Sequence, residues 1–277
     1  MMMRERFSSM LNSISGIIPR LIVAFTIFLI ASPLVLSVVI SFSPQLTFPP
    51  KTLSLRWYLP LFSRQEFTNS LAVSVFIGSV ASAISLAIGI PASLVLVRQR
   101  FRGREVLQML FLSPLAIPAI VIGVSLIDLF ITLGVRDPLT RLLIGHVIIT
   151  LPYVVRVISA SLVGLDRRLE EAAMNLGADG FATFQKITIP LMKSGIIAAV
   201  VFAFQTSIND ISVSIFLVGT TFTTLPLVLL TWTYKYFDPS IAAVSGLIIS
   251  SITIMVLITE KLVGIDKLLG AFTGITG

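Results

Sequence analysis

The chain has 277 residues, 56% of them hydrophobic and only 12% charged, where a soluble domain carries about 25% charged residues. That composition, with a mean hydropathy of +1.01, excludes an ordinary water-soluble enzyme, and the net charge of +7 fits Lys/Arg-rich loops beside membrane spans better than a nucleic-acid-binding face. With no cysteine and a single histidine, His146, the sequence offers no disulfide framework, thiol nucleophile or protein-built zinc site.

Taken from the N-terminus, a segment 1–20 carrying Arg4, Arg6 and Arg20 precedes a run from Leu21 to Pro50 without a charge. That run is too long for the apolar region of a secretory leader and ends without a small-x-small cleavage site, so it reads as a span. A bilayer core about 30 Å thick takes roughly 20 helical residues. Charge-poor windows of that length predict six spans, at Leu21–Ile40, Ser70–Val97, Val106–Leu133, Leu139–Val163, Gly195–Val218 and Pro239–Glu260. The expected organisation is a cytoplasmic segment 1–20, a transmembrane domain 21–263 and a cytoplasmic tail 264–277. Small residues in the second span (Ser79, Ala81, Ser82, Ala83, Ser85, Ala87, Gly89) and the sixth (Ser240, Ala242, Ala243, Ser245, Gly246) predict helix-packing faces. Pro91, Pro114, Pro118 and Pro152 are expected to kink helices around a cavity.

Orientation follows from the positive charges. With both termini inside, Arg4, Arg6, Arg20, Arg98, Arg100, Arg102, Arg104, Arg167, Arg168, Lys186, Lys193, Lys261 and Lys267 lie in the cytoplasm. Outside lie only Lys51, Arg56, Arg64, Arg136 and Lys235, and the imbalance predicts N-in and C-in. The outer segment Ser41–Asn69 includes Trp57 and Tyr58, suited either to the headgroup boundary or to an external partner.

The inner segment from Gly164 to Lys193 is the one stretch with mixed charge and helical pattern. Asp166 can cap a first helix with Leu169, Ala172, Ala173 and Leu176 on one face, and Gly177 can take the left-handed turn that ends it. A second helix then presents Phe181 and Phe184 before Pro190. An amphipathic hairpin outside the bilayer needs a cover, and a partner protein is the economical one.

Glu171-Ala172-Ala173, then Gly177, Ile187 and Pro190, resembles the signature E-A-A, three residues, G, nine residues, I-x-L-P of the permease subunits of ABC importers. Ile189 stands in place of the leucine. Supporting stretches are Arg98-Gln-Arg-Phe-Arg-Gly103, Leu151-Pro-Tyr153, Gly164-Leu-Asp166, Asn209-Asp-Ile-Ser-Val-Ser-Ile-Phe216 and Thr224-Leu-Pro-Leu227. The likeness runs from Phe67 to Gly270 and is strongest to the spermidine/putrescine class, this chain resembling the second of its two permeases. It implies an all-α, six-span fold of the type I importer kind in the bacterial inner membrane, with loop 164–190 docking on a cytoplasmic ATPase. It also implies a second permease subunit, two ATPase subunits and an external solute-binding protein, and no nucleic acid. No G-x-x-x-x-G-K-[ST] occurs in the chain, so ATP and Mg are expected on the partner ATPase, with no cofactor or catalytic residue here.

Ionisable groups at membrane depth face cavities or partners. Asn209 and Asp210, placed two-thirds along the fifth span, are the expected contacts for a cationic solute, with a structural ion pair of Asp210 to Arg156 or to an Arg of the partner as the alternative. Asp128 is a second acidic candidate or an interfacial group. Arg141 is expected to snorkel to the outer boundary, Arg156 either to snorkel or to pair, and His146 to form a hydrogen-bonded helix–helix contact. The expected cargo is a small amine-bearing solute, a polyamine foremost. The same permease class extends to opines, amino-acid-like solutes, aminoalkylphosphonates, thiamine and iron. An ion-coupled transporter would lack the loop motif and show inverted repeats, and a membrane hydrolase would need a constellation that one histidine and no paired carboxylates do not provide.

Overall fold

The computed structural model describes residues 2–45, 48–235 and 240–263, with side chains over 18–45, 48–235 and 240–261. Among the described residues all regular structure is helical, as backbone in hydrocarbon must be when no water can satisfy its amides. The helices are α1 (Met2–Ser41), α2 (Gln65–Arg98), α3 (Arg104–Leu112), α4 (Ala119–Thr132), α5 (Pro138–Val163), α6 (Arg168–Asn175), α7 (Gly180–Thr183) and α8 (Ile189–Leu191). There follow α9 (Lys193–Ile208), α10 (Ser214–Leu217), α11 (Leu225–Lys235) and α12 (Ser240–Val263). Four of them contain stretches long and apolar enough to cross a membrane, Ile18–Ser41, Gln65–Arg98, Pro138–Val163 and Ser240–Lys261.

Two expected spans are broken. Val106–Leu133 is α3 and α4 with a 101° bend between them. The break follows from two prolines. Pro114 opens a 3₁₀ turn, Ser113–Leu115, and Pro118, which has no amide proton to donate, sits extended at φ −55°, ψ 129° just ahead of α4. Pro91 and Pro152, by contrast, lie inside continuous helices. Gly195–Val218 is not one span either, because α9 stops at Ile208 and α10 is a separate turn from Ser214. The lead-in from Gly180 to Leu191 meets α9 at 72°. Each bent pair, taken as one span, brings the total to six. Pro239, Lys267 and the tail 264–277 lie outside the described residues, and the segment 2–20 continues α1 as helix.

The chain forms two compact units, Met1–Leu61 with Asp238–Ser251, and Phe62–Phe237 with Ile252–Gly277. In the first, Trp57 Nε1 donates to the Ser43 carbonyl at 3.0 Å, and Tyr58 shares a 2.6 Å hydrogen bond with Ser41 while stacking on Phe42. The aromatics thus pin the loop to the end of α1. Gly246 of α12 permits this fit, since a Cβ there would stand 2.8 Å from both Ser41 Oγ and Tyr58 Oη.

The second unit is built on α2, α5 and α9. Along α2 the buried residues Ser74, Ile77, Gly78, Ala81, Ser82, Ser85, Gly89, Ser93 and Leu96 recur at three- and four-residue steps, a small-residue seam that lets backbones approach. Ser79, Ala83 and Ala87 lie off that seam and are exposed. Gly89 marks the closest approach, because a Cβ would meet Val154 Cγ1 of α5 at 2.6 Å. Ser85 bonds Thr150 at 2.8 Å and Ser93 donates to the Val155 carbonyl at 3.2 Å, fixing register between the two helices. Ile122, Leu126 and Phe130 of α4 and Leu217 of α10 close one end of the core, and Val157, Ile158, Leu162, Ala198, Ala199 and Ala203 fill the other. Helix α11 was not anticipated. It packs on the start of α2 through Leu225 N–H to Ser74 Oγ at 2.8 Å and Trp232 Nε1 to Glu66 Oε2 at 3.0 Å, with the Arg64 guanidinium 5.1 Å above the Trp232 ring.

Candidate functional site

The motif loop folds as two short helices. Asp166 accepts the Arg168 amide at 3.0 Å at the start of α6, and Asp179 accepts the Ala182 amide at 2.6 Å at the start of α7. Between them α6 closes with the paired bonds of a Schellman turn, Ala178 N–H to the Ala173 carbonyl at 3.1 Å and Gly177 N–H to Met174 at 3.0 Å. The turn requires Gly177 at φ +93°, a left-handed conformation that costs other L-residues free energy. Of the apolar residues expected to need a cover, Leu169, Leu176 at 90% and Phe181 at 67% are exposed, and Met174 beside them is exposed as well.

Of the motif residues, Glu171 and Ala172 are exposed, Ala173 and Ile187 half-buried, and Pro190 exposed. Glu171 pairs at 3.1 Å with Arg167 one turn back on its own helix, an arrangement of small net value on an exposed face. The anchored carboxylate is its neighbour. Glu170 receives Arg98, the last residue of α2, with Nε 3.1 Å from Oε2 and Nη2 donating to Oε1 at 3.3 Å. It also accepts Thr188 Oγ1 at 3.0 Å, from the π-turn Phe184–Thr188 that precedes α8 and α9. The sequence signal was available only as a charge opposite in sign to the Arg98–Arg104 cluster, with nothing to choose between Glu170 and Glu171.

The residues expected to line a pathway fall on two segments, Asp128 on α4 and Asn209 with Asp210 at the end of α9. Asp128 is exposed on α4, with its carbonyl accepting Thr132 Oγ1 at 3.0 Å. Asn209 is the C-cap of α9, exposed, its amide nitrogen donating back to the Gln205 carbonyl at 2.9 Å. Asp210 follows the helix end rather than lying within a span. Its carboxylate accepts the Val213 amide at 3.1 Å, the Ser214 amide at 2.8 Å and the Ser214 hydroxyl at 2.9 Å. Those bonds start a new turn and explain why α9 does not run on to Val218.

His146 sits behind this break, 1% exposed. Its Nδ1 lies 2.6 Å from Ser207 Oγ at the end of α9 and its Nε2 3.0 Å from Ser214 Oγ at the start of α10. A carboxylate only accepts, so Ser214 gives its proton to Asp210 and takes one from Nε2; a ring with one proton then accepts from Ser207 at Nδ1. The chain Ser207–His146–Ser214–Asp210 therefore clamps both sides of the break to α5, and the histidine makes a helix–helix contact of the kind its residue type led us to expect.

Residues 85–263 match the model of the family described as binding-protein-dependent transport system inner membrane component. The putrescine transport system permease protein PotI of Escherichia coli (strain K12) is 34% identical over 243 residues, covering 85% of this chain and 86% of that protein. The spermidine/putrescine transport system permease protein PotC of Haemophilus influenzae is 31% identical over 219 residues, covering 79% and 82%. Among solved structures, a chain of a bacterial ABC transporter involved in the import of the acidic polysaccharide alginate superposes with a TM-score of 0.68 at 19% identity, over 91% of this chain and 96% of that one. At that identity the likeness speaks for the fold.

Proposed function

We propose, from the premise that this chain belongs to the binding-protein-dependent transport system inner membrane components, that as an ABC importer permease subunit it carries polyamines, putrescine or spermidine, across the inner membrane. The observation that carries the solute class is the 34% identity to a putrescine permease over 85% of the chain. In this reading a second permease completes the pathway, two ATPase subunits hold ATP and Mg, and a solute-binding protein delivers the cargo.

The physical steps attach to the features above. The bare apolar side of α6 and α7, with Leu176 and Phe181, docks in a groove of the ATPase, Gly177 shapes the docking turn, and Glu171, Ala172, Ala173, Ile187 and Pro190 complete the contact segment. Closure of the ATPase dimer displaces the hairpin and tips the spans between inward- and outward-open states. At the break after Ile208 the C-terminal end of α9 presents the negative pole of its dipole, with Asn209 and Asp210 beside it, a polarity suited to an ammonium group. Asp128 is a second acidic position toward the other end of the path.

The test is ATP hydrolysis by the purified complex in liposomes, titrated with its binding protein loaded with putrescine or spermidine. Stimulation by a loaded binding protein supports the reading. Stimulation only by a non-amine solute, or absence of an accompanying ATPase, overturns it.

A further inference from the structure

Glu170 joins three elements that are distant in sequence: α6, on which it sits, the end of α2 through Arg98, and the turn leading into α9 through Thr188. The node is sheltered, with the Arg98 and Glu170 side chains 17% and 13% exposed and Thr188 buried. Arg98 Nε lies within ion-pair distance of the carboxylate without hydrogen-bond alignment, so Nη2 carries the directed bond. The motif glutamate, Glu171, pairs instead with Arg167, the N-cap residue one turn back at the start of its own helix.

Helices α2 and α9 both pack on α5 and bound the core that α6 does not enter. A push on α6 therefore reaches the spans through covalent chain at Gly164–Arg167 and around Gly177, through the packing of α6 on the Phe184–Thr188 turn, and through Glu170, whose carboxylate bonds both that turn and α2. Resting on the importer reading above, we infer that Glu170 is a positioning residue that transmits movement of the ATPase-docked helix α6 to α2 and α9 together, with Arg98 and Thr188 as its two receivers. One carboxylate held by two elements moves both at once, which a hinge at either chain end does not.

The experiment uses the complex captured through a tag on this chain and reconstituted in liposomes, with radiolabelled putrescine and its binding protein. For Glu170→Gln the ATPase is expected to co-purify while putrescine taken up per ATP hydrolysed falls about tenfold, within the ordinary range of coupling between sites. Arg98→Glu behaves alike, and the charge-exchanged pair R98E/E170R regains coupling. Thr188→Val, which removes one hydroxyl and no charge, gives a smaller loss in the same ratio and serves where a charge variant fails to accumulate. An unchanged ratio in Glu170→Gln and Thr188→Val, or uptake lost only in proportion to lost ATPase, overturns the inference. A wild-type complex whose hydrolysis ignores the loaded binding protein overturns the importer reading itself, and this inference with it.

Discussion

His146 shows what a buried polar residue does when it bonds two helices of a membrane protein at once. It bonds Ser207 and Ser214 together, and removing the ring takes from the buried Ser207 hydroxyl its ring partner and leaves Ser214 with its bond to Asp210 alone. His146→Ala is expected to lower the stability of the purified chain by about 1–3 kcal/mol, read as a fall in melting temperature in detergent. His146→Gln, whose amide offers both a donor and an acceptor, should recover part of the loss. Equal melting of wild type and His146→Ala would show that the hydrogen bonds contribute nothing net. Asp137 illustrates the opposite setting, a fully exposed cap at the start of α5. The hydroxyl of Thr140, and then its amide, favour the ionised carboxyl and hold it below its usual value of 3.8. The folded form is thus the stronger acid, so the cap stabilises fully above the ordinary value and its contribution is lost as pH falls through the depressed one. The melting difference between wild type and Asp137→Ala should hold constant near neutral pH and shrink under acid; a difference that widens below pH 3.8 would contradict this sign.

At the scale of elements the turn between α6 and α7 sets a clear test. Gly177 has φ +93° and open space around any added Cβ, so strain and not collision decides what is tolerated. Gly177→Ala should cost about 1 kcal/mol for the left-handed backbone and lower uptake partially. Gly177→Pro, with φ locked near −65°, should abolish uptake while the protein still inserts at normal abundance; normal uptake by the proline variant would sink the docking role of this turn. The turn was legible in advance because glycine at the end of a periodic segment has one dominant physical use. So were the continuous spans and the α2 seam, where hydropathy and small-residue spacing both report local facts. Breaks were less legible. Pro114 and Pro118 announced a bend but not one of 101°, since kink size depends on what the freed groups find. The end of α9 carried no proline at all: it is set by Asp210 capturing two amides ahead of it, a competition between side chain and helix that periodicity does not encode. Helix α11 escaped because the stretch after Val218 is shorter than a span, and its stability lies in Ser74 and Glu66, more than 150 residues away.

For the whole molecule the open quantity is how often the chain crosses the bilayer, and the two bent pairs decide it. If α3 and α4 together form one span, residues near Arg102 and Arg136 lie on opposite faces of the membrane. If they form a re-entrant loop, both lie on the same face, and the count drops from six. The charge distribution argues for crossing. Arg98, Arg100, Arg102 and Arg104 precede α3, whereas Arg136 is the lone basic residue between α4 and α5 and is followed at once by Asp137, an imbalance that the positive-inside rule maps to opposite faces. The sequence is naturally free of cysteine, so each introduced thiol reports its own position with no background. Arg102→Cys and Asn175→Cys should react with a membrane-impermeant maleimide only in inside-out vesicles, and Thr52→Cys and Gly134→Cys only in intact cells stripped of the outer membrane. Labelling of Gly134→Cys from the same side as Arg102→Cys would make α3–α4 a re-entrant hairpin. Labelling of Thr52→Cys from the cytoplasm would reverse the orientation and remove loop 164–193 from reach of any ATPase. The same four thiols therefore test the topology and the premise of coupling together, because a docking hairpin works only on the face where ATP is present.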